Sequence, residues 1–241
     1  MLAFDIETTG LSALDGHVIT VICTEDFGTR AKKAYEFARF QDDPVVFHEL
    51  RDCILEDFEK APTLCAFNGH RFDLPFMAVA LDIPVETVMR WKAKMSDIFE
   101  VCKKKWQHTF SLNLLCEANK IPVKISSGLH AVQMAADGKF DALREYCEYD
   151  VSILNMLYEK RFILNPRNNA MMDLAEITGI TLDYVYPEAS QQTSKEKCLL
   201  AQDAYNKLRA PSPLSDGDME AQVLYTPVKR QRMELVDLLE C

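Results

Sequence analysis

The stretch Leu2-Ala3-Phe4-Asp5-Ile6-Glu7, followed at once by Thr8-Thr9-Gly10-Leu11, decides how this chain folds. Apolar and acidic residues alternate in it, and strand side chains point alternately to opposite faces, so Asp5 and Glu7 share one face. Gly10 is a turn residue that ends the strand. The two carboxylates are therefore expected near the carboxyl end of the strand, where open α/β sheets hold ligands. The alternative is an exposed edge strand that carries ordinary surface acids.

A third acid, Asp73, follows an apolar, strand-like run at 62–67 and the turn signal Asn68-Gly69. It opens a helical pattern at 74–81, in which Pro75 is acceptable because it falls in the first turn. The alternative is that Asp73 is a helix N-cap, whose side-chain oxygen accepts hydrogen bonds from free backbone amides.

The third segment is a long helical pattern from about 140 to 158 that contains Tyr146 and Asp150. An ionised Asp in the apolar stripe of a helix is costly unless something compensates it, and a bound metal ion is one such compensation. Tyr146 lies one turn before Asp150, so its hydroxyl can reach whatever that carboxylate binds. The alternatives are a hydrogen-bonded structural Asp150 and a half-buried core tyrosine at 146. The helical neighbours of Asp150 are all uncharged: Tyr146, Cys147, Ile153 and Leu154.

Taken together, the segments at 4–10, 68–73 and 146–150 resemble the three motifs of the DEDD superfamily of 3′-5′ exonucleases, which have a DnaQ-like, ribonuclease H-type fold. A tyrosine four residues before the last Asp is typical of the tyrosine (DEDDy) branch, whereas the other branch has a histidine five residues before it. Position 145 is Glu, so the chain resembles the tyrosine branch. The residues around Tyr146 and Asp150, taken together with the segment at 111–115, most resemble the proofreading domains of family B DNA polymerases and their stand-alone relatives.

The resemblance implies a two-metal phosphodiesterase with catalytic residues Asp5, Glu7, Asp73, Tyr146 and Asp150. Mg²⁺ and Mn²⁺ prefer oxygen ligands. The first two acids and Asp150 would hold one ion, and Asp5, with Asp73 through water, would hold a second. One ion would generate hydroxide from water and the other would stabilise the departing 3′ oxygen. Tyr146 would orient the attacking water or help deprotonate it. The product would be a nucleoside 5′-monophosphate released from a 3′ end.

The expected substrate is the 3′ end of single-stranded nucleic acid, with DNA favoured. An RNA 3′-5′ exonuclease of the ribonuclease D type is one alternative, because four carboxylates do not sense a 2′-hydroxyl. A catalytically inactive binding module on the same fold is the other. The complete set of acids weighs against the inactive module, because a module freed from catalysis has no reason to retain buried carboxylates that repel one another. We expect substrate contacts from five residues within or beside the first two motifs: Thr8, Gly10, Leu11, Asn68 and Phe72.

The composition predicts one α/β core with some sequence to spare, because the chain has 241 residues of which 48% are hydrophobic. The expected fold class is α/β, with a ribonuclease H-like mixed β-sheet flanked by helices. Strands are predicted at 18–24, 34–40 and 63–67, and helices at 45–60, 73–82, 111–119 and 140–160. The predicted organisation is an exonuclease domain at 1–165, a helical extension at 166–209 with helices at 170–177 and 196–208, and a disordered tail at 210–241.

The net charge of −10 argues against a broad, sequence-independent coat of nucleic acid. One basic stretch at 90–105, with Trp91 and Trp106 near its ends, predicts either a single-strand groove or a solvated helix face.

Eight cysteines without C-x-x-C spacing are typical of reduced residues. We also find neither an apolar run of membrane length nor a secretion signal, so we expect an intracellular protein, cytoplasmic or nuclear and not secreted, with no membrane partner. The basic cluster at 228–232 and the short amphipathic segment after it could dock a replication or repair protein, although a frayed terminus is the alternative.

Overall fold

The computed structural model of the chain describes residues 1–123 and 128–178. The predicted helix at 196–208 and the predicted tail at 210–241 lie outside these ranges. The described residues form two compact units. The first contains Met1–Ile98 and the described part of 125–152, and the second contains residues 99–123 and 153–178.

The first unit is built on a five-stranded mixed sheet with the strand order β3-β2-β1-β4-β5. β1 pairs antiparallel with β2 and parallel with β4, which in turn pairs parallel with β5. The carboxyl ends of β1, β4 and β5 therefore lie at the same edge of the sheet. Because β1 is the central strand, the interpretation of the first segment as an exposed edge strand is wrong. The strands are β1 (Leu2–Thr8), β2 (Ile19–Asp26), β3 (Lys32–Tyr35), β4 (Leu64–Ala66) and β5 (Met95–Asp97).

Eight α-helices occur in the described ranges, and the four that the sequence predicted in these ranges before residue 165 are all present. No helix there has both the length and the apolarity that crossing a bilayer requires. The helices are α1 (Pro44–Lys60), α2 (Asp73–Ala80), α3 (Val85–Ala93), α4 (Ile98–Trp106), α5 (Leu112–Ala118), α6 (Gly128–Ala136), α7 (Phe140–Lys160) and α8 (Leu174–Thr178).

Two predicted elements differ from the structure. The strand expected at 34–40 ends at Tyr35, and a 3₁₀-helix, Phe37–Phe40, follows it. The helix expected at 170–177 begins instead as strand β7 (Met171–Asp173), and helical structure starts only at Leu174. β7 pairs antiparallel with β6 (Phe162–Leu164), so strand pairing decides the conformation of this segment.

One face of the sheet packs on α1. The Phe4 ring of β1 lies 4.7 Å from the Phe58 ring of α1, and Phe58 lies 4.9 Å from the Trp91 ring of α3. All three side chains are fully buried. Asp43 is the N-cap of α1, and its side chain accepts hydrogen bonds from amides of the helix's first turn. This aromatic contact forms the core behind the strand that carries the acids.

The other face of β1 and β2 is covered by the first part of α7. The Cys147 thiol donates to the Asp5 carbonyl oxygen at 3.5 Å. The Ser152 hydroxyl donates at 2.7 Å to the buried Glu25 carboxylate of β2, and the Arg30 guanidinium, 2.9 Å from Glu25, offsets the cost of burying that charge. These contacts hold α7 against β1 and β2.

Candidate functional site

Asp5 and Glu7 of β1 meet Asp150 of α7 at the carboxyl end of β1. One carboxylate oxygen from each residue lies within 4.8 Å of the other two, and each residue is at least partly buried. Within residues 1–123 and 128–178, this is the one group of acidic, His or Cys side chains with metal-binding spacing. Three carboxylates offer only oxygen ligands, so the group fits a hard divalent cation such as Mg²⁺ or Mn²⁺.

The acids raise one another's pKa values. Burial raises the pKa of Asp5 well above its usual value, and the charges of Glu7, Asp73 and Asp150 raise it further. Burial likewise raises the pKa of Glu7, followed by the charges of Asp150 and Asp73. Without a cation, ionisation is therefore unfavourable at this site. A divalent ion would reverse the balance, because its charge offsets both the burial and the repulsion.

Asp73 lies beside the group of three rather than within it. It is the first residue of α2, and Phe72 occupies the N-cap position, so the interpretation of Asp73 as the N-cap is wrong. The Asp73 side chain is buried, and its charge raises the pKa of both Asp5 and Glu7. The structure thus brings all four predicted acids into one electrostatic group, with Asp73 at its border.

The Tyr146 hydroxyl is hydrogen-bonded to the Asp150 carboxylate. Burial raises the pKa of Tyr146 far above its usual range, and the charges of Asp150, Glu7 and Asp5 add to this effect. The phenol is therefore protonated at neutral pH. Since its proton is directed to Asp150, an oxygen lone pair is free to accept a hydrogen bond from a water molecule. The residue faces the acidic group and is not simply a core tyrosine.

Three of the predicted substrate-binding residues, Thr8, Gly10 and Leu11, lie at the end of β1 and in the turn after it. The Thr8 hydroxyl donates to the Gly10 carbonyl at 2.5 Å, so its proton is used within the turn. A Cβ at position 10 would lie 2.5 Å from the ring of His17, so the turn packs closely against that exposed side chain. Leu11 is 48% exposed and is the accessible apolar side chain of this turn.

The other two predicted substrate-binding residues lie between β4 and α2. Asn68 is buried and has a φ of 67°, in the left-handed region that asparagine tolerates better than most residues. Phe72 is half-buried, and its ring lies 5.6 Å from that of Phe76. Both residues shortly precede Asp73 in the sequence. Their contact with substrate stays a prediction.

Asp97, the last residue of β5, was not among the residues predicted from the sequence. Its carboxylate accepts hydrogen bonds from the backbone amides of Asn68 at 2.8 Å and His70 at 3.0 Å. Like Asp5 and Glu7, Asp97 lies near the carboxyl end of a strand that has a parallel neighbour. It went unseen because β5 has only three residues, too few for alternation to show, and lies within the basic stretch.

The first part of the basic stretch does not form a single-strand groove. Trp91 is fully buried against Phe58, and its indole N–H donates to Glu59, so it is not available to stack on a base. The Lys94 ammonium donates to backbone carbonyls at the end of α1. The lysines at 103–105 belong to the second unit, where positions 104 and 105 are exposed. For these two, a solvated helix face and a nucleic-acid contact both stay open.

Comparison with known proteins agrees with this fold. Residues 2–162 match the family model RNase_H_2 of the RNase_H superfamily. No curated protein gives a significant match. Nucleases of this superfamily generally use divalent metal ions, in accord with the cluster of Asp5, Glu7 and Asp150, and the match supports a nucleic-acid-hydrolysing enzyme. Because the match covers more than half of the chain and the chain has the mixed sheet flanked by helices, this protein belongs to the RNase H superfamily.

Proposed function

We propose that this chain is a metal-dependent 3′-5′ exonuclease of the tyrosine branch of the DEDD group. It removes nucleoside 5′-monophosphates from the 3′ end of single-stranded nucleic acid, with DNA favoured. The observation that carries the proposal is the meeting of Asp5, Glu7 and Asp150 within 4.8 Å, together with the hydrogen bond from Tyr146 to Asp150. Those residues come from the first and third motifs, at the spacing typical of the tyrosine branch.

In the proposed site, Asp5, Glu7 and Asp150 hold one Mg²⁺ or Mn²⁺ ion, and Asp5 with Asp73 holds a second. The ions, when bound, supply the positive charge that activates water and stabilises the departing 3′ oxygen. The raised pKa values of Asp5 and Glu7 support this assignment, because buried carboxylates that repel one another gain most from a divalent counter-charge.

Tyr146 positions the attacking water in this proposal. Its hydroxyl donates to Asp150, so the phenolic oxygen can accept a hydrogen bond from the water. The raised pKa of Tyr146 opposes its acting as a free base, and orientation of the nucleophile is therefore its main contribution. Leu11 is exposed and follows Asp5 and Glu7 closely in the sequence, and we propose that it contacts the terminal nucleotide of the substrate.

The proposal is tested with single-stranded DNA and RNA oligonucleotides of the same sequence, each labelled at the 5′ end or at the 3′ end. Each substrate is incubated with the protein in Mg²⁺, Mn²⁺ or EDTA, and the Asp5→Asn variant is run in parallel. We expect 3′-labelled DNA to release a labelled mononucleotide at once, 5′-labelled DNA to shorten stepwise, and both reactions to stop in EDTA.

Each other outcome points to a different function. Stepwise shortening of RNA with intact DNA indicates the ribonuclease D-type alternative. Internal fragments from both labels indicate an endonuclease and contradict the proposal. Binding of either oligonucleotide without hydrolysis in any metal indicates the inactive binding module.

A further inference from the structure

The loop between β4 and α2 is held by a side chain from β5. The Asp97 side chain is fully buried, and each of its two carboxylate oxygens accepts one backbone N–H, from Asn68 and from His70. Between the two donors, a Cβ at Gly69 would lie 2.5 Å from that of Ala66, so the loop packs tightly on the end of β4. Asp97 thus joins two parallel strands at the edge where the acids meet.

The hydrogen bonds continue from this loop into the first turn of α2. The Phe72 amide donates to the Asn68 carbonyl at 3.0 Å, and the Leu74 amide donates to the Gly69 carbonyl at 3.0 Å. Asp73 lies between these two donors in sequence. The carbonyls that accept these bonds belong to Asn68 and Gly69. The amide of Asn68 itself donates to Asp97, and Gly69 directly precedes the second donor, His70. A shift of the loop relative to β5 would therefore move the Asp73 carboxylate.

The surroundings of this loop also help to hold its backbone conformation. Asn68 has a φ of 67°, in the left-handed region, which costs asparagine less than most residues but more than glycine. Asp73 also stands outside the group of Asp5, Glu7 and Asp150. Its approach to that group consequently depends on how the loop is held.

We propose that Asp97 is a positioning residue, which sets the distance between the Asp73 carboxylate and the other acids and thereby the affinity of the second metal position. The inference rests on the proposed function, since it concerns the same site. Asp97 acts through the backbone of residues 68–74, because both of its carboxylate oxygens accept hydrogen bonds from that loop.

A carboxylate suits this role better than an amide. It offers an acceptor on each oxygen and forms charge-assisted hydrogen bonds, which are stronger than neutral ones. In Asp97→Asn, one acceptor would remain while the amide nitrogen would face a backbone N–H. The variant keeps the shape of the side chain and loses one of the two bonds, whereas Asp97→Ala loses both.

Calorimetric titration of Mn²⁺ into the metal-free full chain tests the proposal directly, with Tm, kcat and KM measured on the same preparations. For Asp97→Asn we expect Mn²⁺ binding to the weaker of two positions to fall by about 10- to 100-fold, the usual effect of losing an outer-shell partner of a metal ligand. Saturating Mn²⁺ should restore most of kcat, and KM for the oligonucleotide should be unchanged. Asp97→Ala should show a larger loss, and if it does not fold, Asp97→Asn carries the test.

Asp57→Asn is the matched control. Asp57, on α1, also accepts hydrogen bonds from two partners, Lys33 at 2.7 Å and Tyr35, but it lies with α1 on the other face of the sheet. This variant should lower Tm and leave Mn²⁺ binding unchanged. If Asp97→Asn behaves in the same way, the inference is wrong and the proposed function stands. If the wild-type protein neither binds Mn²⁺ nor hydrolyses nucleic acid, both are wrong.

Discussion

The Cys147 thiol lies 3.5 Å from the carbonyl oxygen of Asp5 and 3.9 Å from its Oδ2 atom, so α7 contacts β1 directly at its acidic end. Burial raises the pKa of this thiol, and so does its hydrogen bond with Cys23. The thiol is therefore neutral and adds no negative charge beside Asp5. A small, uncharged side chain at position 147 lets the helix approach closely enough for Asp150, three residues later, to meet Glu7.

Asp5→Asn should abolish hydrolysis while the metal-free protein keeps or slightly gains stability. The substitution removes one of the mutually repelling acids and one oxygen ligand of the proposed ions. Activity assays and thermal melting, with and without Mn²⁺, would check this result. The wild type should gain stability with Mn²⁺ and the variant should gain less. The control Asp52→Asn replaces an exposed acid and should change neither. An active Asp5→Asn enzyme would exclude the proposed site.

Asp5 and Glu7 should make the metal-free protein less stable as pH rises. Their pKa values are raised in the folded state above the ordinary values of 3.8 and 4.5. The folded state thus binds more protons than the unfolded state between those values and the raised ones, and stability declines with pH in that window. In EDTA, the Tm of Asp5→Asn minus that of wild type should increase from about pH 5 to about pH 8. A difference that decreases with pH would contradict the direction of the shifts.

Tyr146→Phe should lower the rate by about 10- to 1,000-fold, within or slightly below the usual contribution of a positioned acid-base group. The ring and its packing remain, but the water loses its orienting acceptor. Because the hydroxyl is bonded to Asp150, the free energy of unfolding should fall by about 1–3 kcal/mol. Mn²⁺ affinity and oligonucleotide KM should be nearly unchanged.

Tyr35→Phe provides the control for that variant. The Tyr35 hydroxyl is also bonded to an Asp carboxylate, that of Asp57, but on the face of the sheet that α1 covers. Its loss should reduce stability by a comparable amount without slowing hydrolysis. If Tyr146→Phe is as fast as Tyr35→Phe, the tyrosine has no part in positioning the water.

Truncation after Arg209 should leave turnover on a short oligonucleotide largely unchanged, because every proposed site residue precedes position 151. Binding to a protein partner, which we propose for the basic cluster at 228–232, would be lost instead. Turnover and pull-down with the full-length and truncated chains would separate the two effects. A truncated protein that folds but does not hydrolyse would show that the active site needs residues beyond 209.

That the four acids and the tyrosine come together was predictable, because each lies in a local pattern of strand, turn or helix residues. Alternation in β1 put Asp5 and Glu7 on one face, and the uncharged helical neighbours of Asp150 marked it as an acid in an apolar stripe. Asp97 was not predictable, since its role consists of hydrogen bonds to a backbone more than 25 positions away. Sequence patterns report side-chain faces and do not report which strand ends become neighbours.

Neither interpretation of the basic stretch predicted the burial of Trp91, for a similar reason. Basic residues around an aromatic residue suggested a surface for single strands, but this indole packs against Phe58 on a helix far away in sequence. Lys94 likewise uses its ammonium group to hold the end of α1. Both residues serve contacts within the fold, and these depend on the packing of α1 and α3 rather than on local composition.

The packing of α7 on β1 also affects how the protein partially unfolds. Asp5 and Asp150 are separated by more than half of the chain, yet a cation held by both would close that interval like a reversible crosslink. Partial unfolding that lifts α7 from the sheet would then require release of the ion. Amide hydrogens of α7 and β1 should exchange with deuterium more slowly, and in concert, when Mn²⁺ is present.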